Sequence, residues 1–142
     1  MTVRFQVDGK PQAWQRARMQ RTGRRCRLCK QPVGAVRGFT APETRAYEQH
    51  IALMANRAMR KAGVPLDVDE PLVLRVKFTL PRIKKPTWSV PARRPDLDNY
   101  LKGVLDGLEK GRVFKDDARI VDLRATKVYG DNPSTLIELW RY

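Results

Sequence analysis

The sequence predicts an α/β (α+β) fold: one domain over residues 1–142, with a mixed sheet of about four strands packed against two main helices. Three observations predict it. Thr40–Lys61 and Leu97–Leu108 repeat apolar residues at three- and four-residue steps, as amphipathic helices do. Four shorter segments read as strands, the clearest of them alternating apolar with polar at every step. A length of 142 residues with 42% hydrophobic content suits one buried core, not two domains or a disordered tail.

Val3, Phe5 and Val7 alternate with Arg4 and Gln6, which predicts a first strand ending at Asp8-Gly9. Lys10–Gly38 then reads as a basic loop insertion, with nine Lys or Arg, no acid and no sustained period. Arg16, Arg18, Arg21, Arg24, Arg25 and Arg27 in it are candidate phosphate contacts, which makes binding salt-dependent. A merely solvated arm is the competing reading, but the charge is one-signed and unpaired. Inside the loop, Cys26-Arg27-Leu28-Cys29 supplies half of a structural Zn²⁺ site, and no second pair exists in the chain. Two subunits pooling their pairs would complete such a site. Free thiols activated by the neighbouring arginines are the favoured reading.

The first helix opens with Thr40 and Glu43 as an expected capping box and Pro42 in the first turn. Tyr47, Ile51, Met54, Ala55, Ala58 and Ala62 form its apolar stripe, Gly63 stops it, and His50 on it is a poor candidate ligand. Leu72, Leu74, Val76, Phe78 and Leu80 alternate with Val73, Arg75, Lys77 and Thr79 in the clearest strand. Pro81, Pro86 and Pro91 end it in a loop carrying Arg82, Lys84, Lys85, Trp88, Arg93 and Arg94. Lys84, Lys85, Arg93 and Arg94 are further candidate phosphate contacts of the same kind; Trp88 either stacks on a base or, as loop tryptophans more often do, packs over the core. Leu97, Tyr100, Leu101, Val104, Leu105 and Leu108 mark the second helix, ended by Gly111. Strands at Ile120–Tyr129 and Thr135–Trp140 follow, joined by a turn at Gly130-Asp131-Asn132-Pro133.

A formal charge of +14 implies a polyanionic partner, and nucleic acid fits best because no amphipathic membrane anchor is evident. No stretch approaches about 18 apolar residues, so no membrane span is expected. Met1–Lys10 lacks the apolar run of a secretory signal, and two closely spaced cysteines make no disulfide framework. A cytoplasmic setting is the default.

Against this basic background, seven of the fifteen acids fall between Asp96 and Asp122, while Gly9–Pro42 and Pro71–Pro95 contain none. Pro95 fixes its own φ, so Asp96 is expected just before the second helix and Asp98 in its first turn, where both carboxylates can converge near the positive helix end. Lys102 lies four residues beyond Asp98 on the same face. Asp116 and Asp117 are adjacent, so one of them can point inward with the pair. Carboxylates about 4 Å apart repel by on the order of 4 kcal/mol at an effective dielectric of 20, so such a cluster shares protons or binds a cation. Oxygen ligands select Mg²⁺ or Mn²⁺. A lysine beside the ion either stabilises the developing charge on phosphorus or helps activate water. The bland alternative makes Asp96 a helix cap, Asp98 a dipole partner and Asp116-Asp117 a turn. It explains less well why the acids cluster in a chain otherwise so short of them.

Asp96-Leu97-Asp98-Asn99, Lys102 and Asp116-Asp117-Ala118-Arg119-Ile120-Val121-Asp122 resemble the RusA family of Holliday junction resolvases, common in prophages. The likeness is strong over Pro95–Lys127 and looser over Leu72–Leu80 and the Thr40–Lys61 helix with its Tyr47. Lys10–Gly38 is longer and more basic than expected for the family. The resemblance implies a homodimer that cuts opposed strands of a four-way junction with Mg²⁺ or Mn²⁺. Asp96, Asp98 and Asp117 would be catalytic and metal-binding, Lys102 the essential lysine, and Asp116 a supporting residue. The alternatives are a non-catalytic basic nucleic-acid binding module and a nuclease for other branched DNA such as flaps.

Overall fold

The computed structural model describes residues 1–142 apart from 17, 22 and 35; the side chains of 18, 20, 21, 24, 32, 33, 36 and 37 also lie outside the description. In chain order the elements are β1 (Thr2–Asp8), β2 (Arg18–Arg21), β3 (Arg24–Arg25), β4 (Pro32–Val33), β5 (Val36–Phe39) and α1 (Pro42–Lys61). Then come β6 (Leu72–Pro81), α2 (Leu97–Lys110), a short 3₁₀ turn at Asp117–Arg119, β7 (Ile120–Gly130) and β8 (Ser134–Arg141). The main sheet has the order β1-β8-β6-β7, with β6 and β7 parallel and the other pairs antiparallel. This is the expected mixed four-stranded sheet with two helices. Among the described residues, no helix is long and apolar enough to cross a membrane.

The alternation read in β6 sets the layers. Leu72, Leu74, Val76, Phe78 and Leu80 are buried with Val3, Val7, Ile137 and Leu139, and α1 and α2 close that face with Ile51, Ala55, Met59, Val104 and Leu108. The helices meet closely at Gly107, where an added Cβ would stand 2.8 Å from Ile51 Cβ. The opposite face carries the polar set, including Arg4 paired with Glu138 and Arg75 stacked 4.9 Å from the Trp140 ring centroid.

Two local expectations are corrected. The N-cap of α1 is Ala41, without a side-chain cap, so Thr40 and Glu43 form no capping box. Pro42 holds Ala41 in extended geometry (φ −54°, ψ 140°), and the first non-helical residue is therefore Ala41 itself. The Lys10–Gly38 stretch is also more ordered in pattern than a loop: β2 pairs with β5 and β3 with β4, antiparallel. Strands of two to four residues rich in arginine leave no periodicity to read.

The β6–α2–β7 crossover decides where the acids go. Lys127 Nζ, on β7, donates to the carbonyls of Arg93 at 2.9 Å and Pro95 at 3.0 Å, which fixes the start of α2 at the far end of β6. At the other end, the Asp67 N–H donates to Arg112 O and the Val68 N–H to Val113 O, which fixes the exit of α2 beside the entry to β6. Helix α2 therefore runs antiparallel to both strands, as a short crossover between parallel strands requires.

Candidate active site

At the N-terminal end of α2, Asp96 occupies the N-cap in extended conformation (φ −71°, ψ 155°) but makes no cap hydrogen bond. Asp98 lies in the first turn, and both carboxylates are exposed. They face water near the positive helix end, a position suited to anion–cation chemistry rather than to capping. One turn on, Lys102 sets its Nζ 3.9 Å from the ring centroid of Trp14, whose backbone N–H donates to Asn99 O at 2.8 Å. Trp14 was not singled out by the sequence pattern, because it sits in the arm's aperiodic root.

At the C-terminal end of α2, Glu109, Asp116 and Asp117 bring one carboxylate oxygen each within 4.8 Å of one another, the group among the described residues that could hold a metal ion. Glu109 Oε1 accepts the Asp117 N–H at 3.2 Å. Asp116 Oδ1 accepts the Ala118 N–H at 2.8 Å and caps the 3₁₀ turn. That N–H, and then the hydrogen bond with Asp117, hold the Asp116 carboxyl below the usual carboxylate range. Glu109 belongs to the acidic run read from the sequence, but its convergence with Asp117 depends on where the helix ends.

Between the two ends, Asp98, Lys102, Asp106 and Lys110 follow each other at four-residue steps on one helix face. Burial and then the neighbouring Glu48 push the Asp106 carboxyl above its ordinary value, opposed by Lys102 and Lys110. Glu48 on α1 is buried and pairs with the half-exposed Lys110, an ion pair between the two helices.

The structure thus brings Asp96, Asp98 and Lys102 together at one end of α2 and places Asp117 at the other. Asp98 and Glu109 are separated by eleven residues of helix, roughly 16 Å at 1.5 Å each. Ligands of one magnesium ion stand at most about 4 Å apart. A single copy of the chain therefore does not gather all three aspartates.

Of the candidate cations, Arg93 and Arg94 lie directly before Asp96 in the chain. Arg16, Lys84, Lys85, Arg93 and Arg94 are exposed, as is Arg25 farther out on the arm, and none pairs with a carboxylate among the described residues. The side chains of Arg18, Arg21 and Arg24 lie outside the described set. Arg82 is tied to Asp131 at 2.9 Å, and Lys115 and Arg119 both bind Asp69, so these cations are already partnered. Trp88 stands exposed on the loop instead of packing over the core.

A family model described as Endodeoxyribonuclease RusA matches residues 8–140. The chain is 30% identical over 112 residues to "Crossover junction endodeoxyribonuclease rusA" of Lactococcus phage r1t, covering 78% of this chain and 82% of that one. It is 30% identical over 92 residues to the crossover junction endodeoxyribonuclease RusA of Escherichia coli strain K12, covering 65% and 66%. It is also 28% identical over 99 residues to the uncharacterized protein YqaN of Bacillus subtilis strain 168, covering 64% and 69%.

Proposed function

The chain belongs to the RusA family of endodeoxyribonucleases, and from that premise we propose that it resolves four-way DNA junctions by metal-assisted phosphodiester hydrolysis, two copies acting as a homodimer. The observation that carries the reading is the end of α2: Asp96 at the N-cap without a cap hydrogen bond, Asp98 exposed in the first turn, Lys102 one turn on, and the exposed Arg93 and Arg94 directly before them in the chain. The cations engage phosphates and bring a backbone to the carboxylates. Asp96, Asp98 and Asp117 would hold the ion, and their oxygen-only set suits Mg²⁺ or Mn²⁺. When bound, such an ion polarises the scissile phosphate and acidifies the attacking water. Lys102 places positive charge beside the reacting phosphate, and Asp116 keeps the turn that presents Asp117.

The separation of Asp117 from Asp98 is the reason to invoke two copies. Strand β7 is a sheet edge, and Leu123 is 44% exposed although its β6 neighbour Leu74 is fully buried. Leu123 shares the helix-facing side of the sheet with Leu74 yet is left uncovered, and Val121, at the bulge before it, is exposed as well. A twofold pairing there would run the two α2 helices antiparallel, and Asp117 of the partner subunit would then approach Asp96 and Asp98. Active sites built this way come in pairs, which suits cutting two opposed strands.

The test is a synthetic four-way junction incubated with and without Mg²⁺, with nicks mapped on all four strands. Symmetric nicks in opposed strands are expected. Binding without nicks under any divalent metal would make the chain a binding module, and faster cutting of flaps would move the substrate to forks.

A further inference from the structure

The basic arm ends in a feature that the nuclease chemistry does not use. Strands β3 and β4 pair Arg24 with Val33 and Arg25 with Pro32, and the turn between them carries both cysteines. Cys26 N–H donates to Gln31 O at 2.8 Å, Lys30 N–H donates to Cys26 O at 3.0 Å, and Lys30 takes the left-handed φ of 59° that lets the chain fold back. Cys26 and Cys29 therefore stand at the two ends of one tight turn closed between paired strands, the spacing that lets both sulfurs bind one ion. Both thiols are free.

A second observation concerns the apex. Leu28, between the two cysteines, is 94% exposed at the tip of a strongly cationic arm. An apolar residue so placed gains by being covered. No third His, Cys, Asp or Glu of the described residues joins the cysteine pair, since the group of three such residues lies at Asp117. A tetrahedral zinc site needs four ligands, so the missing two must come from outside this chain.

We propose that Cys26 and Cys29 form half of a four-thiolate zinc site, completed by the same pair of a second copy, so that zinc joins two arms tip to tip. The second copy is the natural occupant because it offers an identical sulfur pair and an identical exposed Leu28 in a self-complementary contact. One Zn²⁺ displaces four thiol protons, leaving a centre of charge −2 between tips that carry Arg25, Arg27 and Lys30. The metal thus lowers the repulsion that otherwise separates two cationic arms. The inference does not depend on the nuclease reading.

Titration of the reduced, chelator-dialysed full chain with Co²⁺, followed by displacement with Zn²⁺, tests it. A sulfur-to-cobalt charge-transfer band should saturate at one ion per two chains, and zinc should bleach it. Cys26→Ser and Cys29→Ser should each abolish the band, whereas Glu109→Gln should leave it in place. Saturation at one ion per chain, absence of a sulfur band, or a band that survives Cys29→Ser would overturn the proposal. The wild-type stoichiometry decides even if a serine variant fails to fold.

Discussion

The Lys102 Nζ rests 3.9 Å from the centre of the Trp14 ring, and Trp14 is itself fixed by its backbone N–H bond to the Asn99 carbonyl in the first turn of α2. Trp14 thus joins the arm's root to α2 and holds Lys102, so in the proposed site it would act as a positioning residue for that lysine. An exposed cation–π contact contributes about 0.5–1 kcal/mol, a factor of roughly 2 to 5 in rate. Trp14→Leu should lower kcat by that factor while KM for the junction stays unchanged, and Trp14→Phe should recover most of it. Lys102→Ala should cost about 100-fold or more, the scale of losing one charge stabiliser in the transition state. In the Trp14→Leu, Lys102→Ala double variant the tryptophan effect should vanish; persistence of the full factor would detach Trp14 from Lys102.

Gly107 offers a stability test of the same helix. A methyl group there would meet Ile51 Cβ at 2.8 Å and the Glu48 carbonyl at 3.1 Å, at the closest approach of α1 and α2. Overpacking of that kind costs about 1–3 kcal/mol, more than alanine's better helix propensity returns. Gly107→Ala should lower Tm, and an unchanged Tm would mean the helices part more readily than their packing implies.

The major elements were legible because each follows one period: β6, α2, β7 and β8 begin and end within a residue or so of their expected limits. The acidic end of α2 was legible too, since Pro95 and the apolar spacing place Asp96 at the N-cap. Local spacing says nothing of how far Asp117 travels, however. A helix linking parallel strands returns the chain to the opposite end of the sheet, and that carries Asp117 to Glu109 and away from Asp98. Trp14, Lys127 and Glu48 act through contacts between segments far apart in sequence, which no periodic pattern records.

Asp106 should leave a pH signature. Its folded-state carboxyl is raised, first by burial and then by Glu48, so the folded chain binds the Asp106 proton more tightly than the unfolded chain. Stability from this group is complete at low pH and is lost as pH rises through the window just above the ordinary carboxylate value. Asp69 has the opposite sign: Lys115 and Arg119 lower it, so its contribution is present at neutral pH and lost on acidification. Asp106→Asn should therefore raise stability at neutral pH by about 0.5 kcal/mol, the scale of a screened charge, and change little in acid. Thermal unfolding across pH 3–8 would show it; stabilisation by Asn only at the acidic end would reverse the assignment.

The strongest test of a site shared between copies uses two inactive variants. Asp98→Asn and Asp117→Asn should each keep junction binding, because neither removes a cation, and each should lose cleavage. If one site takes Asp96 and Asp98 from one copy and Asp117 from the other, mixing the variants changes the outcome. The mixed dimer holds one site with both substitutions and one site with none, so nicking of a single strand should return. The yield should approach that of one intact site in each mixed dimer once subunits exchange at random. If each site lay within one chain, every site in the mixture would carry one substitution, and no activity would return at any ratio. Leu123→Asp places a charge on the uncovered edge of β7, so it should abolish the rescue together with dimer formation. Rescue that survived in monomeric protein would move Asp117 to a site that the length of α2 forbids.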